Sequence, residues 1–340
     1  MRVSTSQFYS QSYSAIAKHQ NSVMQIQEQI SSGKRVNRPS DDPVATSQIN
    51  SLNKTIDSLA QFKKNGDYAR SQLSLEETQI TSAVDAVQRA RELSLQMMND
   101  TYSAKDRQST AKEVGQLIDH LSSLMNSTNS EGELIFAGNN VNANEAFVVD
   151  AANSAGLQPG NQFLAYIGSA NAGAAYDVQA NYGARFVQIG FDANHKANAD
   201  DKGDASRVRI TDKGSSVFNI PGATSLPAGV DPNLVNVLVQ LKDTLDQGLQ
   251  PSAAIGDDLQ AGIKQMAKQL AEIGGRQNRI DSQATASDSY SITIKERLSN
   301  LQDLDMVKGI TDLTTKQNAL QAAQQVFSKV QGMSLFNYLK

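Results

Sequence analysis

From Leu259 to Leu301, apolar and small side chains recur at alternating steps of four and three, and no proline interrupts the run. Leu259, Ile263, Met266, Leu270 and Ile273 open the stripe. Gln277, Ile280, Ala284, Ser287, Ser291, Ile294, Leu298 and Leu301 continue it in the same phase. Such a heptad predicts one long helix with a narrow seam. At about 1.5 Å of rise per residue it spans roughly 65 Å. A helix of this kind cannot bury its stripe alone, so the rest of the chain has to supply partners.

Candidates for those partners lie on both sides. Ile16, His19, Val23, Ile26 and Ile30 form a first stripe that closes at Gly33, whereas residues 1–15 carry only weak periodicity. His19 has no acid or nucleophile near it in sequence, so a packed side chain accounts for it. A charged, proline-bounded link, Lys34 to Asp42, precedes a helix start at Pro43. A carboxylate before proline caps free backbone N–H groups, and proline at the first helical position loses no hydrogen bond. Capping accounts for the Asp41–Asp42 pair more simply than acid–base or metal chemistry does. Ala45, Ile49, Leu52, Ile56 and Leu59 continue from there, and past Gly66 the stripe resumes as Leu73, Ile80, Val84 and Val87. Ser103 with Asp106 has capping-box spacing, and Val114, Ile118, Leu121 and Met125 follow it. Asp231-Pro232 repeats the cap-and-proline device ahead of Leu234, Leu238, Leu241 and Leu245. Near Asp305 to Gly309 the heptad phase slips, which marks a hinge or a change of partner. A last stripe, Ile310, Leu313, Leu320, Phe327 and Val330, then runs toward the C-terminus.

The middle of the chain is different in kind. Glycine, asparagine and aspartate separate short β-type runs at Phe163–Ile167, Tyr176–Ala180, Arg185–Phe191, Arg207–Thr211 and Val217–Ile220, which predicts a small antiparallel β domain. Asp192, Asn194, His195, Asp200 and Asp201 match no metal-loop spacing and read as a solvated hairpin tip. The predicted fold class is therefore mainly α, multidomain α+β: a long heptad-patterned helical rod built from both chain ends, with an inserted β domain. Its divisions are terminal coiled-coil segments at 1–42 and 306–340, a helical bundle at 43–135 and 233–305, and the insertion at 136–232. The heptad seams continue on either side of the insertion, so contacts made by the helical ends are expected to do without it.

A net charge of -4 over 340 residues argues against a nucleic-acid or anionic-membrane partner. No apolar run approaches the ~20 residues of a membrane span, and the N-terminus lacks the apolar core of a cleaved signal peptide. The absence of cysteine removes disulfide and thiolate chemistry. With three histidines and neither a P-loop nor a His-Glu-x-x-His pattern, the sequence offers no catalytic, cofactor or metal residues.

Several motifs, in order, resemble the flagellin family. Ser32-Gly33-Lys34-Arg35-Val36-Asn37 with Asp41-Asp42-Pro43 is similar to its N-terminal signature. Gly274-Gly275-Arg276-Gln277-Asn278 and Leu301-Gln302-Asp303-Leu304-Asp305 are similar to its C-terminal motifs. The Met1 to Thr5 opening with Phe8, the Gly132 and Ile135-Phe136-Ala137-Gly138 loop, and the Ser334 to Leu339 ending look like the hook-associated branch of the family. Leu134 departs from the aromatic common there. The resemblance covers about residues 1–138 and 255–340.

It implies a structural subunit exported through the flagellar type III apparatus to the bacterial flagellum outside the cell. The subunit would form a ring with itself, join the first hook-associated protein to flagellin, and be escorted by an export chaperone. The implied assembly interface comprises Ile16, Val23, Ile26 and Ile30; the link residues Arg35, Asn37, Asp41 and Asp42; Arg89 and Arg91; and Leu313, Leu320, Phe327, Val330, Leu335, Tyr338 and Leu339. Gln88 to Leu93 also resembles a flagellin stretch that lies at subunit contacts and is read by immune receptors, although a solvated, salt-bridged helix face explains it equally. Two alternatives remain: a flagellin filament subunit, or a hydrolytic enzyme housed in the β insertion. The terminal helices, with thin seams interrupted by His19, Gln317 and Gln324, are expected to be disordered in the monomer and to fold on assembly.

Overall fold

A computed structural model describes residues 2–140, 143–176, 182–191 and 206–336. Four helices dominate: α1 (Arg2–Ser32), α2 (Pro43–Met97), α7 (Ala253–Gln302) and α8 (Met306–Phe336). Between α2 and α7 come α3 (Ala104–Met125), β1 (Phe147–Val149), α4 (Ala151–Ser154), β2 (Leu164–Tyr166), a 3-10 turn (Ala170–Ala175), β3 (Phe186–Gln188), β4 (Arg207–Arg209), α5 (Gly214–Phe218) and α6 (Leu234–Asp246). The fold is mainly α with a small antiparallel β region inserted in its middle.

The long helix forms where its stripe requires. Along α7 every seam residue from Leu259 to Leu301 is buried or half-buried, including the small and polar members Gln277, Ser287 and Ser291. Two expectations about continuity change. Gly66 does not interrupt α2; it is a buried helical residue with Ile280 beside it, where a bare backbone permits close approach. Residues 2–15 belong to α1 despite their weak periodicity. Tyr9 packs edge-on against Phe327 of α8 at 6.0 Å between ring centroids, a tertiary contact that a one-helix pattern does not reveal. The phase slip near Asp305 is a helix break: α7 stops at Gln302, and Asp305 Oδ1 accepts from the N–H groups of Val307 and Lys308 to start α8.

The chain groups into two compact units, one of Met1–Ala60 with Asp288–Lys340, the other Gln61–Ser287. In the first, α1 lies along α8. Val36, Ala45 and Ile49 form a small cluster there with Leu298 and Leu301. In the second, one continuous apolar core contains Leu73, Ile80, Val87, Leu121, Met266 and Ile273 from the helices. The same core takes in Phe136, Phe147, Phe163, Val208 and Phe218 from the inserted segment. The insertion therefore shares its core with α2, α3, α6 and α7. Gly262 of α7 has the buried Leu234 of α6 directly above it, so those two helices meet where no side chain intervenes.

Among its described residues the inserted segment holds two separate antiparallel strand pairs. Phe147, Val148 and Val149 face Tyr166, Ala165 and Leu164, while Phe186, Val187 and Gln188 face Arg209, Val208 and Arg207. The runs at Phe163, Arg185 and Arg207 thus supply strands; β1 went unanticipated. Val217 and Phe218 instead sit in α5, where both are buried and Phe218 packs edge-on against Phe136 and Phe147. Of the Tyr176–Ala180 run only Tyr176 is described, and the Asp192 to Asp201 loop lies outside the described residues. Asp231 does not cap α6. It is buried and accepts from Tyr166 N and Ser169 Oγ, leaving Asn233 to accept from Asn236 N as the cap.

Candidate functional site

The link after α1 is held by its own polar groups. Gly33 adopts a left-handed φ of 70°, which ends α1 without a side-chain clash. Its carbonyl accepts from Leu304 N at 2.9 Å, and Arg35 N donates to Gln302 O at 2.7 Å, with Lys34 and Asp303 paired antiparallel between them. The Arg35 guanidinium donates to the Leu301 carbonyl at 2.8 Å, an end-of-helix oxygen without an intrahelical partner, and pairs with Asp42 at 3.3 Å. Asp41 and Asp42 divide the work. Asp41 Oδ2 accepts from Asn37 N and Arg38 N, closing the turn, so only Asp42 caps α2, through Ala45 N at 2.9 Å. Asn37 Oδ1 takes the Ser32 hydroxyl at 2.9 Å. The four link residues therefore form a clasp in which Arg35 grips the α7–α8 junction while Asn37, Asp41 and Asp42 fix the link's own turn and the start of α2.

The Ala45 N–H, with the Arg35 guanidinium behind it, holds the Asp42 carboxyl below its ordinary range. A depressed carboxyl stabilises the fold above its unfolded pKa and loses that contribution as pH falls through the folded value. Asp42→Ala is thus expected to lower the melting temperature modestly at neutral pH, with the gap to the parent narrowing in acid. Loss of assembly at an unchanged melting temperature would make Asp42 a contact residue instead.

On the terminal helices, Val23 is buried, and Ile16, Ile26, Ile30, Leu313, Leu320, Phe327 and Val330 are half-buried. Their seam positions serve the α1–α8 pair within one chain. Ile310 departs from the anticipated stripe, whose other members keep their phase: it is 54% exposed. Gly309 occupies the inward position in its place, near Leu304 and Ile30. Outside the seam, Tyr13 and Met24 on α1 and Met306, Val307, Ile310 and Val326 on α8 are exposed, Val307 at 78%. Sequence reading missed this outward apolar set, although apolar residues left off a narrow stripe were the available signal. Leu335 belongs to α8, but its side chain, with Tyr338 and Leu339 entirely, lies outside the described residues.

Arg89 and Arg91 separate. Arg89 meets Glu113 of α3 at 2.7 Å and Glu92 at 3.3 Å, which accounts for it as an exposed intrachain ion pair. Arg91 is half-buried, and its Nε has no hydrogen-bond partner. Among the described residues no group of three or more His, Cys, Asp or Glu side chains is placed to hold a metal ion. No described helix is long and apolar enough to cross a membrane.

A unit of paired terminal helices closed by a hydrogen-bonded clasp, and a helix-rich unit that carries an insertion, define a mainly helical chain of two units. Residues 3–141 match the bacterial flagellin N-terminal helical region, and residues 257–339 match the bacterial flagellin C-terminal helical region. The chain belongs to the flagellin family. It is 28% identical over 353 aligned positions to flagellar hook-associated protein 3 of Salmonella typhimurium, covering 99% of each chain. Bacillus subtilis flagellin is 25% identical over 304 positions, covering 88% of this chain and 85% of that one. The crystal structure of the flagellar junction protein FlgL from Legionella pneumophila shares the fold, with a TM-score of 0.53 at 14% identity over 75% of this chain and 99% of that one.

Proposed function

We propose that this chain is the structural subunit that joins hook to filament in the bacterial flagellum. In this reading it forms a ring with copies of itself, seats on the first hook-associated protein through its terminal helices, and presents a template on which flagellin polymerises. It reaches that place through the flagellar type III apparatus, escorted by an export chaperone.

The observation that carries the reading is the outward apolar set on α1 and α8. Tyr13, Met24, Val307, Ile310 and Val326 are uncovered within one chain, and apolar surface of this kind on long helices is what neighbouring subunits bury. Alignment with a hook-associated relative along 99% of both chains, against 88% of this chain for the Bacillus flagellin, favours the joint over the filament itself. These relatives are structural flagellar proteins, which supports a structural subunit over an enzyme in the insertion.

The test is a deletion strain. Cells lacking the chain are expected to build hooks and shed monomeric flagellin into the medium, with filaments restored by the intact gene. Full-length filaments on the deletion strain would overturn the assignment.

A further inference from the structure

Glu76 lies in the core of the Gln61–Ser287 unit, on the inward face of α2 between Leu73 and Ile80, and is 1% exposed. Neither of its carboxyl oxygens meets an N–H or O–H donor, an arrangement that costs several kcal/mol if the group is charged. The charge of another carboxyl, Asp212, also 1% exposed, acts on it. A like charge so placed favours the protonated form of the group that it faces.

Charge balance points the same way. Asp212 is held by Arg276 of α7 at 2.7 and 3.2 Å and by Arg209 of β4 at 2.9 Å. Glu272, one turn before Arg276, pairs with Arg209 at 3.2 Å and Arg276 at 3.5 Å. Two guanidinium groups thus meet two carboxylates, and the cluster is neutral without Glu76. An ionised Glu76 would be a further buried negative charge beside Asp212, in a cluster whose two guanidinium groups already answer Asp212 and Glu272.

We propose that Glu76 carries a proton in the fold and, placed against Asp212, acts as a pH-dependent fastener between α2, α7 and the inserted segment. The pair lies where three stretches distant in sequence converge, so its protonation state reports on whether the insertion is seated. Burial, and then the charge of Asp212, push the Glu76 carboxyl well above its ordinary range. A carboxyl raised in the folded state stabilises fully below its unfolded pKa, and that contribution falls away as pH rises toward the folded value. The fastener therefore holds in acid and loses its contribution steadily as pH climbs above the unfolded carboxyl value, opposite in sign to the capping carboxylates.

The experiment is urea unfolding of the full chain, followed by circular dichroism, for the parent and Glu76→Gln across about pH 5 to 8. Glutamine is neutral at every pH, and all other carboxylates are common to both proteins. The unfolding constant of the parent relative to the variant is expected to rise with pH, by up to about tenfold per unit. A ratio independent of pH would mean that Glu76 ionises normally in the fold and would overturn the proposal. Isotope-edited infrared spectroscopy of the parent gives a second reading that does not depend on the variant folding. A protonated glutamic-acid carbonyl band at neutral pH is expected from chain labelled with carbon-13 at glutamate, and its absence would equally overturn the idea.

Discussion

Replacing Arg276 with leucine is expected to lower the stability of the Gln61–Ser287 unit by about 3–5 kcal/mol, the usual penalty for removing one partner of a buried ion pair. Asp212 is 1% exposed and accepts two hydrogen bonds from Arg276, which is itself 5% exposed. Without that guanidinium, Arg209 alone would answer Asp212 and Glu272. Leucine fills part of the space, so the deficit comes from the uncompensated charge and not from a void. Adding Asp212→Asn in the Arg276→Leu background should recover a measurable part of the loss, which denaturant titration of the single and double variants will show. Equal losses in both would instead assign the effect to packing.

The second large effect concerns the chain ends. Hydrogen exchange on a verified monomer is expected to proceed at least about a thousandfold faster in α1 and α8 than at Leu73, Leu121 or Met266, the difference between near-zero and global opening energies. Burial supplies the reason. Among the described residues of α1 and α8, Val23 and Gly309 are buried, but most of the seam is only half-covered. Ordering a backbone residue costs roughly 1–2 kcal/mol, whereas apolar burial returns about 25 cal/mol per Å². Isolated, such a helix pair sits near balance, and contact with neighbouring subunits would tip it. Slow exchange from Ile16 to Ile30 in the monomer would show that the ends are already firmly paired.

The helices were readable because their spacing survives every local irregularity. The stripe from Leu259 to Leu301 specified α7 within a few residues, and Ser103 with Asp106 marked the start of α3 by the capping box that forms there. What escaped depended on tertiary partners. Val217 and Phe218 have strand character, yet they lie in a helical turn where Phe218 packs against Phe136 and Phe147. Asp231-Pro232 has cap spacing, yet burial against β2 and the Ser169 hydroxyl gives its carboxylate other donors. Glu76 was legible and was passed over: it falls at the step between Leu73 and Ile80 where the stripe calls for an apolar side chain. The clasp was visible as a set of charged residues, but the division between Asp41 and Asp42 depends on which N–H groups the turn presents. The anticipated separate insertion met a continuous core, since short two-stranded pairs have too little apolar surface to close a core of their own.

The pairing of Lys34 with Asp303 has a kinetic consequence. Arg35 and Leu301, which meet by hydrogen bond, are separated by 266 positions along the chain. A polypeptide delivered in order from its N-terminus, whether from a ribosome or through a pore, has no partner for this link until nearly the last residues have emerged. Closing so long a loop is slow compared with forming local helix. The unit made from the two ends is therefore a finishing step, completed only by an intact chain. Any molecule truncated before Leu301 would carry its N-terminal helix without a counterpart.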